Sequence, residues 1–217
     1  MTNKFAVFDV DGTLHDGALG TEFIVELSRR GYTKHEVHLL YEQWAKSSDK
    51  TSFFMEHFYP EFATLLPVTK NVMEQIGKDI ASRTLTQIRP EMLKRIEKHR
   101  ENGYKLLIIS TSPSIVITQL TKLLAFDDFE APPTPFDAHG FYAGPAHRTP
   151  QQKNKANQLA LLVEKHRFTY TDSWAYGDTL DDLPMLEAVD HPVAVTPHED
   201  FRRIAAERKW EIITTHQ

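Results

Sequence analysis

A chain of 217 residues, 41% hydrophobic and 25% charged with a net charge of −5, has the make-up of a soluble globular protein with a sizeable core. The mildly acidic balance argues against a dedicated nucleic-acid or anionic-membrane binder, and the absence of cysteine excludes disulfides, thiolate metal sites and a cysteine nucleophile. No run reaches the roughly 18 apolar residues of a membrane span, and Asp9 comes too early for a signal-peptide apolar region, so a cytoplasmic protein is expected.

The apolar run Phe5-Ala-Val-Phe8 reads as a buried strand that runs straight into Asp9, with Asp11, Gly12 and Thr13 just beyond it. Residues 16–87 contain no confident strand. There Thr33-Lys-His-Glu36 has the form of a capping box, followed by Val37, Leu40, Tyr41 and Trp44 at helical spacing, and Val72, Met73, Ile76 and Ile80 repeat that spacing. The segment reads as three or four helices. Pro90 opens a further helix that Asn102-Gly103 stops. "YKLLIIS", 104–110, is apolar throughout and predicts a strand buried on both faces. Ser112-Pro113 has the form of an N-cap and first-turn proline.

Residues 131–150, rich in Pro and Gly, predict a loop with a short hairpin around His139-Gly140. Thr149-Pro-Gln-Gln152 is a capping box, and Thr196-Pro-His-Glu199 repeats its form before a helix at about 198–208. "SWAYGD" (173–178), "HPVAVTP" (191–197) and "WEIIT" (210–214) supply three more strands. Strands separated by helices predict an α/β fold, a doubly wound, Rossmann-like parallel sheet with helices on both faces.

Three of these strands end alike. The first meets Asp9, the second Ser110-Thr111-Ser112, and the third Gly177-Asp178 with Asp181 and Asp182 close behind. Ligands of open parallel sheets bind beyond the carboxyl ends of the strands. If the three are neighbours, Asp9, Asp11, Asp178 and Asp182 converge on one crevice, and four clustered carboxylates call for a cation. An all-oxygen set open to phosphate favours Mg²⁺. Ser110 and Thr111, just ahead of a helix, offer an anion site, and Lys155 or Lys153 could supply a positive charge. Each signal alone has a bland reading as a turn, a cap or a solvated lysine. Their order and their shared place at strand ends carry the expectation.

Asp9-Val-Asp11-Gly-Thr13, Ser110 after "KLLII", Lys155 in "KANQL" and "YGDTLDDLPML" (176–186) resemble, in order, the four motifs of the haloacid dehalogenase superfamily. The insertion after the first motif is similar to the family's C1 helical cap, and the rest to its subfamily IB hydrolases, with a phosphoserine-phosphatase-like core. The resemblance implies a core domain of residues 1–15 and 88–217, a helical cap of 16–87, and a Mg²⁺-dependent phosphomonoester phosphatase acting on a small phosphorylated metabolite through an aspartyl-phosphate. Phosphotransfer to another acceptor is the alternative within the family, and a receiver-like phospho-acceptor module the alternative outside it.

By this resemblance Asp9 is the nucleophile and Asp11 the acid and base. Gly12 and Thr13 line the phosphate site with Thr13 helping to shape the turn, and Ser110 with the Thr111 N–H holds phosphoryl oxygens. Lys155, followed by Leu159 as in the third motif, offsets charge; Asp9, the Asp11 carbonyl and Asp178 hold the metal, with Asp182 in support. Dehalogenation is not expected with Asp11 present. Where phosphoserine phosphatases carry a substrate-binding Glu, seven residues past the second Asp, this chain has Ala18, with Glu22 one turn on. The aromatic residues Tyr41, Trp44, Phe53, Phe54, Phe58, Tyr59 and Phe62 either fill the cap core or wall the substrate. His15 is expected in a loop or at the surface. No nucleic-acid or membrane partner is expected, and the chain would be a monomer or homodimer.

Overall fold

The computed structural model describes residues 3–214. Six parallel strands form one sheet: β1 (Phe5–Phe8), β2 (Lys105–Ile109), β3 (Asp128–Glu130), β4 (Trp174–Gly177), β5 (His191–Val195) and β6 (Glu211–Ile213). Their order is β3-β2-β1-β4-β5-β6, so β1 lies between β2 and β4 where the chain changes direction across the sheet. That is the switch point of a doubly wound sheet. Asp9, Ser110 and Asp178 therefore leave neighbouring strands at the same end.

Side chains alternate across the sheet and split the apolar core in two. Ala6 and Phe8 join one cluster, Phe5 and Val7 the other. The first cluster continues without a break into the helical segment after β1, through Phe23, Trp44, Phe58, Met73 and Ile76. Most aromatics of that segment are core: Trp44, Phe58 and Phe62 are buried, and Tyr41, Phe53 and Phe54 pack against them.

Helices α1 (Leu19–Arg29) and α5 (Lys70–Leu85) bracket shorter pieces: a 3₁₀ turn Val37–Leu40, α2 (Tyr41–Lys46), α3 (Lys50–Phe53), a π-helical turn Phe54–Phe58 and α4 (Tyr59–Ala63). The segment is thus helical as expected, in more pieces. After it come α6 (Pro90–Glu101), α7 (Ser114–Leu123), α8 (Pro150–Lys153), α9 (Lys155–His166), α10 (Leu183–Leu186) and α11 (Glu199–Glu207). Residues 1–2 and 215–217 of the expected core domain lie outside the described residues.

Several local expectations hold. The Thr149 capping box forms both of its hydrogen bonds, at 2.9 and 3.3 Å. Phe136 and Tyr142 pair antiparallel around a turn at Asp137–Gly140. Others fail for identifiable reasons. Thr33 donates to the His35 carbonyl instead of capping, and the chain enters a 3₁₀ turn. Thr196 has a positive φ of 42° and gives its N–H to the Ile213 carbonyl, so α11 starts at Glu199 without a side-chain cap. Ser112 does not cap α7, which begins after Pro113. Strand β3 is additional to the five expected: three residues at a sheet edge, two of them acidic, give no apolar run.

Candidate active site

Residues 9–15 fold back tightly at the end of β1. Leu14 and His15 both donate to the Val10 carbonyl, and Gly12 donates to the His15 carbonyl at 2.9 Å. Gly12 takes φ +87°, and a Cβ there would stand 2.1 Å from Oδ2 of Asp178. Only glycine both adopts this turn and lets the β4 carboxylate come so close. Thr13, expected to shape the turn, does more: its hydroxyl donates to Asp178 Oδ1 at 2.9 Å. The first motif thus positions the acidic residue of the fourth.

Asp9 is buried and accepts a hydrogen bond from Lys155 Nζ at 2.6 Å, and the same ammonium bonds Asp182 Oδ1. The other oxygen of Asp182 accepts from the backbone N–H groups of Asp178 and Thr179, each at 3.0 Å. One carboxylate oxygen each from Asp9, Asp178 and Asp182 lie within 4.8 Å of one another.

Lys155, not Lys153, reaches the crevice. Asn154 breaks the chain between α8 and α9 and caps α9 through its side chain, so the two lysines sit on different helices. Lys153 is exposed and Lys155 buried. Ser110 is buried at the end of β2, its N–H held by the Glu130 carbonyl of β3 at 3.0 Å, and its hydroxyl accepts from the Ser112 N–H. Thr111 is exposed beside it.

Burial pushes the Asp9 carboxyl up to about 7; Asp182 and Asp11 push the same way and the Lys155 ammonium opposes them. Burial likewise raises Asp178, with Asp9 and Asp182 adding to it and the Thr13 hydrogen bond opposing. For Lys155, burial works against its charge, but Asp182 and Asp9 outweigh that and hold it above its usual value. Three buried carboxylates therefore share one cation, and a negative excess remains for a second.

A family profile described as haloacid dehalogenase-like hydrolase matches residues 6–187. The chain belongs to the haloacid dehalogenase-like hydrolases. Its relatives include the "inhibition of morphological differentiation protein" of Streptomyces azureus, 30% identical over 145 residues, which are 64% of this chain and 52% of that one. A histidinol-phosphatase of Neisseria meningitidis is 23% identical over 97% of this chain and 98% of its own length. Among solved structures, a Bordetella pertussis protein of unknown function superposes with a TM-score of 0.76 at 19% identity, covering 98% of this chain and 99% of that one. A phosphoserine phosphatase in apo form gives 0.65 at 15% identity, covering 97% and 92%. The family expected from the four motifs is therefore the right one, and the α/β core expected for it is the observed fold.

Within this haloacid dehalogenase-like hydrolase, Asp11 stands apart from the acidic cluster. The sequence pattern groups it with the metal-binding side chains, but its carboxylate turns away from them. It accepts from the Ser112 hydroxyl at 2.6 Å and from the Leu19 N–H at 2.9 Å, and faces His15 Nε2 at 3.2 Å. Ser112 departs from its expected role as a helix cap, and His15, in the loop before α1 as expected, does not face the surface. His15 is fully buried. Arg89, which no motif marks, ties the turn to the start of α6 through the Gly12 carbonyl and Asp16. His139 and His147 are exposed and take no part. No helix among the described residues is long and apolar enough to cross a membrane.

Proposed function

We propose that the protein is a Mg²⁺-dependent phosphomonoester phosphatase working through an aspartyl-phosphate on Asp9. The observation that carries this reading is the buried Asp9 carboxylate, held at 2.6 Å by Lys155 and flanked by Asp178 and Asp182, with Asp11 two residues on. The cluster fits a magnesium ion: its donors are all hard oxygens, and it holds fewer positive charges than negative ones. Asp9, Asp178 and the Asp11 carbonyl would hold it. Asp182 supports them through Lys155, since both its oxygens are already engaged. When bound, the ion supplies positive charge to the phosphoryl oxygens and to Asp9.

The chain's own groups then divide the work. An Asp9 oxygen forms a bond to phosphorus as the ester P–O bond breaks, and the leaving oxygen takes a proton from Asp11. Asp11, now a carboxylate, takes a proton from water as that water attacks phosphorus. The Asp9–phosphorus bond breaks, releasing inorganic phosphate, and both aspartates return to their starting states. Ser110 and the Thr111 N–H bind phosphoryl oxygens, and Lys155 offsets their charge.

The helical residues 16–87 would act as the cap over the core of 1–15 and 88–217, and meet the leaving group of a small phosphorylated metabolite. Phe54, which opens the π-helical turn, reaches α1 beside Ser112: its Cζ lies 3.9 Å from where a Gly20 Cβ would stand. Glu22, further along α1, comes close to the His15 loop, its Oε1 lying 2.9 Å from where a Gly17 Cβ would stand. With Ala18 in the expected Glu position, phosphoserine is disfavoured as substrate, and the histidinol-phosphatase relative directs the first trials to other small phosphate esters.

The deciding experiment is turnover of an aryl phosphate with Mg²⁺. Asp9→Asn should abolish it, and EDTA should silence the native chain until Mg²⁺ is restored. Unchanged rates in the Asp9→Asn variant would remove Asp9 as the nucleophile.

A further inference from the structure

Among the described residues, His15 is a buried ionisable side chain at the crevice that the four motifs do not account for. Its ring is 0% exposed and both nitrogens are engaged. Nδ1 accepts the N–H of Gly17 at 3.1 Å. A peptide N–H can only donate, so Nδ1 carries the lone pair and the ring hydrogen sits on Nε2. That nitrogen lies 3.2 Å from Asp11 Oδ1 and donates to it. Gly17 makes room for the ring: a Cβ there would stand 2.6 Å from His15 Cε1 and 2.8 Å from Nδ1. The His15 backbone is fixed as well, because its carbonyl takes the Gly12 N–H and its own N–H goes to Val10. The imidazole thus has one tautomer, one position and one carboxylate to address.

We infer that His15 is a positioning residue for Asp11, clamping one carboxylate oxygen while the Ser112 hydroxyl clamps the other. This rests on Asp11 being the acid and base of the proposed reaction. Asp11 gains nothing from proximity unless its oxygen faces the ester oxygen, and a carboxylate free to rotate about χ1 and χ2 loses that alignment. His15 touches no reacting atom. Its effect should scale with how much the leaving group needs a proton. Nitrophenolate departs without one, whereas phenolate needs it.

The test uses the full chain with Mg²⁺ and compares kcat/KM for p-nitrophenyl phosphate and phenyl phosphate. Asp11→Asn should lose about 10²-fold or more on phenyl phosphate and far less on the nitrophenyl ester. His15→Ala should show the same selectivity at smaller size, about tenfold against less than threefold. Gln and Asn separate the two ring nitrogens. His15→Gln places an amide N–H near Nε2 and should restore phenyl phosphate turnover, while His15→Asn replaces only Nδ1 and should not. Equal losses on both esters, or Gln no better than Asn, would overturn the inference while a selective Asp11→Asn leaves the acid–base reading standing. A non-selective Asp11→Asn would remove that reading and the inference with it. If His15→Ala does not fold, the Gln and Asn pair decides alone.

Discussion

Replacing Gly12 by alanine tests the crevice without any knowledge of the substrate. The new methyl would begin 2.1 Å from Asp178 Oδ2 and 2.7 Å from its Cγ, at a backbone φ of +87°. Two costs follow. Holding a non-glycine residue at that φ costs about 1–2 kcal/mol. The Asp178 carboxylate must also swing away and give up the Thr13 hydroxyl, about 1–3 kcal/mol for a buried pair. The sum, roughly 2–5 kcal/mol, lowers the melting temperature by about 5–15 °C for a chain of this size. More telling is the metal. With Asp178 displaced, Mg²⁺ affinity measured by calorimetry should fall about ten- to a hundredfold, the equivalent of about 1.4–2.8 kcal/mol.

A control measures the first cost by itself. Gly140 has φ +81° and nothing within 4 Å of a Cβ, so Gly140→Ala should show the strain alone and leave Mg²⁺ affinity untouched. If Gly12→Ala binds Mg²⁺ within twofold of the native chain, Asp178 is not a metal ligand held against this turn, and the assignment fails.

Three further outcomes follow from the electrostatics. Lys155→Met leaves Asp9 and Asp182 without their shared ammonium, so unfolding in urea with EDTA at pH 8 should be easier by about 3–5 kcal/mol. Asp9→Asn should stabilise the metal-free chain at that pH. The native carboxyl moves from 3.8 to about 7 on folding, so the stability linked to it is full below pH 4 and lost as pH rises through 7. The Asp9→Asn variant should therefore gain by at most about 4 kcal/mol at pH 8 and by nothing near pH 4. His99 shows the opposite sign: burial, with Arg95 and Lys98, lowers it from 6.5 to about 4. It packs against Tyr176 and Trp174, so stability should fall by up to about 3 kcal/mol as pH drops through that window, and His99→Gln should flatten the fall.

The crevice was legible where chemistry and local structure share the same residues. The apolar run Phe5–Phe8 ending in Asp9 announces both a buried strand and what stands at its end. The stretch from Trp174 to Asp182 does so again. Two such strands in a parallel sheet meet if they are neighbours, and the β1–β4 pairing makes them so. Lys155 needed only its helix to begin in the right place, which Asn154 ensures by capping it. Elsewhere one sequence signature serves two ends. Ser-Pro ahead of a helix looks the same whether the hydroxyl caps that helix or crosses to Asp11. Short β3 carries no periodicity, yet its last carbonyl holds the N–H of Ser110.

His15 shows why such partners escape a reading along the chain. A histidine just past a glycine turn usually faces solvent, and nothing in "GTLHDG" marks this one as buried. Its burial is tertiary. Arg89, far along the chain, pins the turn by its guanidinium and by its own N–H to the Leu14 carbonyl. The N-terminus of α1 comes down beside it, where Leu19 also donates to Asp11. The Asp11 carboxylate is thereby drawn away from the acidic cluster, into donors supplied by three separate segments. Asp9 and Asp11 are two residues apart and, in a strand continued straight, would point the same way. The turn at Gly12 and the clamp on Asp11 give them different neighbours, and different neighbours are what the proposed division of labour requires, one carboxylate acting on phosphorus and the other on protons.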